Sequence, residues 1–290
     1  MIVDDFDIIE LDIEGDVLRR YIMYYADTSC IRRCEFMNKS GYFNNGSYSS
    51  GRTMAIAHRG ASALAYHENT LEAFQIAIDL HADMVEFDVR RTRDNVLIVY
   101  HDSAIDGHRI NEMTYNRIND IASRSGYRVP ALEEVLDLCR GKIKLDIELK
   151  ESGYERRVID MVKQRYGYGE FSIKSFKDRV SYNVKAIDPK IRTGLLLGRE
   201  NVGVGVRLNE YFPERRMKKC GADFVSPHYL LCTREYVKRL QKKSIPIYVW
   251  TVNDRKIMKK LIRQGVTAII SDRPDVLNNV IISDILKKDR

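Results

Sequence analysis

Met54-Ala-Ile-Ala-His58-Arg59-Gly60, Met84-Val-Glu86-Phe-Asp88-Val89 and Leu97-Ile-Val-Tyr-His101-Asp102 make up the stretch of sequence on which the rest of the chain is organised. Two histidines and several carboxylates fall at the ends of short apolar runs within fifty residues. Such a density suits metal binding and proton transfer. Alternate side chains of a strand share a face, so Glu86 and Asp88 point one way while Val85, Phe87 and Val89 point the other. Arg93-Asp94-Asn95-Val96 breaks the pattern as a turn does. A two-residue loop at Asp94-Asn95 pairs Arg93 with Val96 and predicts His101 directly across from Asp88, with Cβ atoms roughly 5 Å apart. A parallel arrangement would need a longer crossover than this gap allows.

Outward from this stretch the chain reads as alternating strands and helices, the pattern of a parallel sheet. Strands are expected at 54–58, 83–89, 171–176, 192–197, 222–228, 245–252 and 267–271. Helices are expected from about 70, at 114–123, from Pro130, and at 154–165, 178–186, 209–220, 233–243 and 254–264. Asn69 with Glu72 resembles a capping box for the first of these. Lys142-Ile-Lys-Leu-Asp-Ile-Glu-Leu-Lys150 alternates strictly, with Ile143, Leu145, Ile147 and Leu149 on one face and Lys144, Asp146, Glu148 and Lys150 on the other. In an exposed antiparallel strand the charged face meets water. In a closed barrel the apolar face meets the helices and the charges point inward, where they need partners. With the 96–101 arm as hairpin partner of the second strand, eight strands remain, the number of a TIM-type (β/α)8 barrel.

The 290 residues carry 48 Lys and Arg against 41 Asp and Glu, a formal net charge of +7. Basic pairs in the second half read as solvated helix faces, without the interleaved aromatics of a nucleic-acid platform. A pull toward anionic substrates or lipid headgroups stays open, and so does peripheral membrane contact. Cys30, Cys34, Cys139, Cys220 and Cys232 form an odd set without a second metal-spaced pair, as expected of reduced thiols in a cytoplasmic protein. No signal peptide and no run of roughly 20 apolar residues is seen. Residues 1–16 carry seven acids and no base, and 38–51 are rich in Gly, Asn and Ser. Residues 1–50 are therefore expected to be an N-terminal extension of unknown role, and 51–290 the barrel.

His58-Arg59-Gly60-Ala61-Ser62, Glu68-Asn69-Thr70, Glu86-Phe-Asp88-Val89, His101-Asp102, Glu148-Leu-Lys150 and Val249-Trp250-Thr251-Val252-Asn253, in this order, resemble the glycerophosphodiester phosphodiesterase family over about 54–275. The resemblance implies a TIM-type barrel and one divalent cation, Mg²⁺ or Ca²⁺, held by Glu86, Asp88 and Glu148. It implies His58 and His101 as an acid–base pair and Arg59 and Lys150 as phosphate contacts. By the family's route a glycerol hydroxyl attacks phosphorus, and water then opens a cyclic phosphate. Three carboxylates suit these hard cations better than zinc. Glu68 either holds substrate or Arg59, or simply precedes the helix. Trp250 reads as an apolar wall for the glycerol moiety or as core. The chain departs from the family at His67, where Pro is usual, and at Ser103-Ala-Ile-Asp106, which bear on substrate fit. The expected function is metal-dependent hydrolysis of glycerophosphodiesters to glycerol 3-phosphate and an alcohol. The alternatives are a lysophospholipase D-type lipid phosphodiesterase and a non-catalytic barrel serving as a binding protein. Oligomeric state is not legible.

Overall fold

The computed structural model describes residues 52–198 and 202–288. Expectations for residues 1–50, Cys30 and Cys34 among them, lie outside the described residues. The strands are β1 (Met54–His58), β2 (Met84–Arg91), β3 (Leu97–Val99), β4 (Ala104–Ile105), β5 (His108–Arg109), β6 (Lys144–Leu149), β7 (Phe171–Ser175), β8 (Thr193–Leu197), β9 (Phe224–Pro227), β10 (Tyr248–Val249) and β11 (Ala268–Ser271). The helices are α1 (Leu71–Asp79), α2 (Tyr115–Ser123), α3 (Leu132–Cys139), α4 (Glu155–Lys163), α5 (Asp178–Ile187), α6 (Val204–Tyr211), α7 (Glu214–Cys220), α8 (Arg234–Gln241), α9 (Arg255–Gln264) and α10 (Pro274–Lys288).

Eight strands pair in parallel in the order β10-β11-β1-β2-β6-β7-β8-β9. Parallel bridges Val225↔Ile247 and His228↔Trp250 bring β9 round to the edge of β10, so the sheet closes as a (β/α)8 barrel. Closure explains the alternation in β6. Leu145, Ile147 and Leu149 are buried against the helices, while Asp146 and Glu148 are buried on the inner face. The inward charge is met from the neighbouring strand: the Lys174 ammonium lies 2.7 Å from Asp146 Oδ2, and the Ser172 hydroxyl donates to Asp146 Oδ1. On α9, Met258, Leu261 and Ile262 are buried, and its other face is basic. Cys139, Cys220 and Cys232 are buried free thiols.

The hairpin register differs from the expectation by one residue. β3 pairs Val99 with Val89 and Leu97 with Arg91, so Asp88 faces Tyr100, whose N–H donates to the Asp88 carbonyl. The cause is Thr92. Its N–H donates to the Val96 carbonyl and its hydroxyl accepts from the Val96 N–H, leaving a three-residue loop with Asn95 at φ +63°. β3 ends at Val99, and the Arg90 guanidinium grips the His101 carbonyl at 2.9 and 2.7 Å. His101 is thus placed by a bend after the strand rather than by strand pairing.

Three other differences have local causes. Thr70, not Asn69, caps α1, accepting from the Ala73 N–H, while Asn69 sits at φ +56° with its side chain turned into the barrel. The helix expected at 209–220 is two, α6 and α7, divided at Phe212-Pro213. α10 was not expected, because its apolar residues lack a clear helical stripe.

Candidate active site

His58, Glu86, Asp88 and Glu148 lie toward the C-terminal ends of parallel barrel strands, where enzymes of this architecture carry out their chemistry, and His101 joins them from the bend after β3. His58 ends β1, and the chain then turns sharply. Arg59 has φ +51° and Gly60 φ +83°. A Cβ at Gly60 would fall 2.6 Å from Ala73, so only glycine lets the loop lie this close to α1. The turn aims the Arg59 N–H at Glu86 Oε2 and sends its guanidinium between Glu68 (Nη1–Oε1 2.7 Å) and Asp88 (Nε–Oδ2 3.3 Å).

Glu86 and Asp88 project inward from β2, and Glu148 from the neighbouring β6. All three are buried, and one oxygen of each lies within 4.8 Å of the others. The Lys150 ammonium is 2.8 Å from both Asp88 Oδ1 and Glu148 Oε1, and Asn69 Nδ2 donates to Asp88 Oδ2. Lys174 reaches Glu86 Oε1 at 3.4 Å. Burial pushes the Glu148 carboxyl up to about 7, with Asp88 and Glu86 adding to the rise and Lys150 opposing it. Burial acts on Asp88 in the same direction, but Lys150, Arg59 and His101 outweigh it and hold that carboxyl far below its usual range. Three buried carboxylates that bring hard oxygen donors within 4.8 Å of one another fit a divalent cation, whose charge would favour their ionised forms.

Both histidines have Nδ1 on a carboxylate. His58 Nδ1 lies 2.6 Å from Asp272 Oδ1, and His101 Nδ1 lies 2.7 Å from Asp102 Oδ1. His58 Nε2 is 3.9 Å from Glu86 Oε2. Asp272 also accepts from the Ser62 hydroxyl and from Asn253 Nδ2. Burial alone would raise its carboxyl, but the hydrogen bond and charge of His58, aided by Asn253 and Ser62, hold it at about 2. His101 is lowered below the ordinary imidazole value by burial first and by Lys150 and Arg59, with Asp88 and Asp102 opposing.

Trp250 follows β10, donates its indole N–H to the Ser226 carbonyl at 2.7 Å, and meets Phe176 and His228 edge-on at 5.6 and 5.2 Å. It is half-buried, and β10 stands three strands from β2 in the sheet order. His67, the departure noted in the sequence, stacks on Tyr127 at 4.2 Å in the loop.

A sequence profile of the Glycerophosphoryl diester phosphodiesterase family matches residues 58–276. The chain belongs to this family. It is a phosphodiesterase by that membership and by its relatives. YhdW of Bacillus subtilis is 32% identical over 77% of this chain and 95% of its own length. A glycerophosphodiester phosphodiesterase of Caldanaerobacter subterraneus is 30% identical over 79% of this chain and 98% of its own. Among solved structures, an Oleispira antarctica phosphodiesterase in complex with its product sn-glycerol-3-phosphate matches with a TM-score of 0.70 at 22% identity, covering 82% of this chain and 100% of that one.

Asp272 and Lys174 contact the candidate site residues without having been singled out in the sequence, and Asn253, quoted there only within the Val249–Asn253 motif, contacts Asp272. Asp272 directly follows an expected strand, the same position that marked His58. Lys174 alternates with Phe171 and Ile173 as the charged residues of β6 do with its leucines.

Proposed function

We propose that the chain hydrolyses glycerophosphodiesters to glycerol 3-phosphate and an alcohol, with one divalent cation, Mg²⁺ or Ca²⁺, held by Glu86, Asp88 and Glu148. The observation that carries the reading is the convergence of three buried carboxylates within 4.8 Å, next to a histidine held on Asp272. The product bound by the Oleispira antarctica enzyme supports glycerol 3-phosphate as the product here. When bound, the cation supplies Lewis-acid stabilisation for charge growing on phosphate oxygens.

The rest is work for the chain's own residues. Arg59 and Lys150 lie on the same carboxylates, so a cation taking those oxygens leaves both heads to meet phosphate. Arg59 brings a planar fork and Lys150 a compact charge. Ionised Asp272 fixes the tautomer of His58 and stabilises the imidazolium formed when Nε2 takes a proton. That suits His58 as the base that deprotonates the glycerol hydroxyl. His101 is the acid for the leaving alcohol, its Nδ1 held on Asp102 so that Nε2 is the nitrogen that carries the proton to the substrate. The roles exchange as water opens the cyclic phosphate. Trp250 and Phe176 border the site with apolar surface suited to the glycerol carbons.

Following glycerophosphocholine turnover by phosphorus NMR tests the two-histidine reading. Wild type should release glycerol 3-phosphate. His58→Ala should abolish all turnover, and His101→Ala should slow it by about 10²–10⁴-fold. Wild-type rates in either variant would refute the pair.

A further inference from the structure

We infer that the mouth of the barrel docks on an anionic phospholipid bilayer, through exposed apolar residues on α6 and after β9 and through the cationic groove between α8 and α9. The inference rests on this surface and not on the chemistry at the strand ends. α6 projects from the barrel: Glu210 is its buried residue, while Val204 is 79% and Leu208 54% exposed. These two stand one turn apart and share a face. Leu230, 72% exposed, follows β9. The two segments belong to adjacent loops, since a Cβ at Gly198 would fall 2.4 Å from the His228 side chain. Both follow strand C-termini, so the apolar residues stand at the end of the barrel where the candidate active site opens.

α6 meets α8 where the Tyr211 hydroxyl lies 3.2 Å from Thr233 Oγ1, and between α8 and α9 a groove of about 480 Å³ runs from Arg234 and Lys256 in their first turns past Lys259 and Lys260 to Arg263 and Gln264. The five cations are exposed, and among the described residues none has a carboxylate within ion-pair distance. Glu235 is the carboxylate on these two helices. Arg234 and Lys256 lie in the first helical turns, at the same end of the barrel as Leu230. An apolar tip flanked by unpaired cations is the arrangement that binds lipid interfaces, the tip entering the acyl boundary and the cations meeting anionic headgroups. A nucleic acid would use the cations but leave Val204, Leu208 and Leu230 without a role.

The test uses the full chain and its co-sedimentation with vesicles of phosphatidylcholine alone or mixed with phosphatidylglycerol, at low and high salt. Binding is expected to the mixed vesicles, weakening with salt. Charge reversal at Lys256→Glu, Lys259→Glu and Lys260→Glu should weaken partitioning more than about a hundredfold, since each surface cation contributes about fivefold. Val204→Ser with Leu230→Ser should weaken it about tenfold. Both variants should hydrolyse soluble glycerophosphocholine at the wild-type rate, which separates this inference from the proposed activity. Equal binding to neutral vesicles, or binding unaffected by charge reversal, overturns it. So does binding that heparin competes away while the serine variant behaves as wild type, which would mark a polyanion site. Self-association lost in the same variants without vesicle binding would make the occupant a second copy.

Discussion

Replacing Asp272 by Asn keeps the shape of the side chain and removes its charge from His58. The Nδ1–Oδ1 distance of 2.6 Å and the carboxyl held at about 2 mark a charge-assisted hydrogen bond. Such a bond contributes about 1.5–3 kcal/mol, so kcat should fall about tenfold to a hundredfold while KM stays nearly unchanged. The same bond is linked to stability. The folded carboxyl titrates at about 2 against an ordinary 3.8, so its contribution is fully present above pH 3.8 and is lost as pH falls through 2. The shift corresponds to about 2 kcal/mol at most, because the carboxylate is 28% exposed. Asp272→Asn should therefore melt roughly 4–8 °C below wild type at pH 7, with the gap closing as acid protonates the wild-type carboxyl. Steady-state kinetics and calorimetry at several pH values measure both effects. A variant within about threefold of wild-type kcat would refute the assignment of Asp272 as the residue that positions His58.

Glu148→Gln should leave stability without divalent cations within about 1 kcal/mol of wild type, since it relieves repulsion among three buried acids. It should abolish the gain in melting temperature that Mg²⁺ or Ca²⁺ gives wild type, a gain worth about 2.7 kcal/mol at a hundredfold excess over Kd. Lys174→Met leaves buried Asp146 without its cation and should cost about 3–5 kcal/mol in denaturant unfolding. Gly60→Ala places a methyl 2.6 Å from Ala73 at φ +83°, and should cost about 1–3 kcal/mol and lower activity by displacing His58 and Arg59.

The barrel was legible because its physics is periodic. Strict alternation from Ile143 to Lys150 makes sense in a closed sheet, and the buried Lys174–Asp146 pair is what inward charges require. His58, Glu86, Asp88 and Glu148 were legible because they sit at strand ends or alternate within strands. What the sequence hid was set by side chains acting against the local pattern or by long-range partners. One Thr92 hydroxyl lengthened the hairpin loop and shifted its register, so His101 reached the site by a bend gripped by Arg90. Asn69 looked like a cap, but its side chain serves Asp88. Asp272 has its partner 214 residues away, a pairing that only barrel closure creates. The exposed apolar residues of α6 carried no signal either, since periodicity marks what is buried and α6 buries little.

The most direct test of the account follows glycerol 3-phosphate release from glycerophosphocholine by EDTA-treated protein, with and without added Mg²⁺ or Ca²⁺, beside Glu86→Gln and Asp88→Asn. No release is expected without cation, with recovery on adding it and no recovery in either variant. Full turnover in EDTA, or cation-dependent turnover in both variants, would contradict a metal held by Glu86, Asp88 and Glu148.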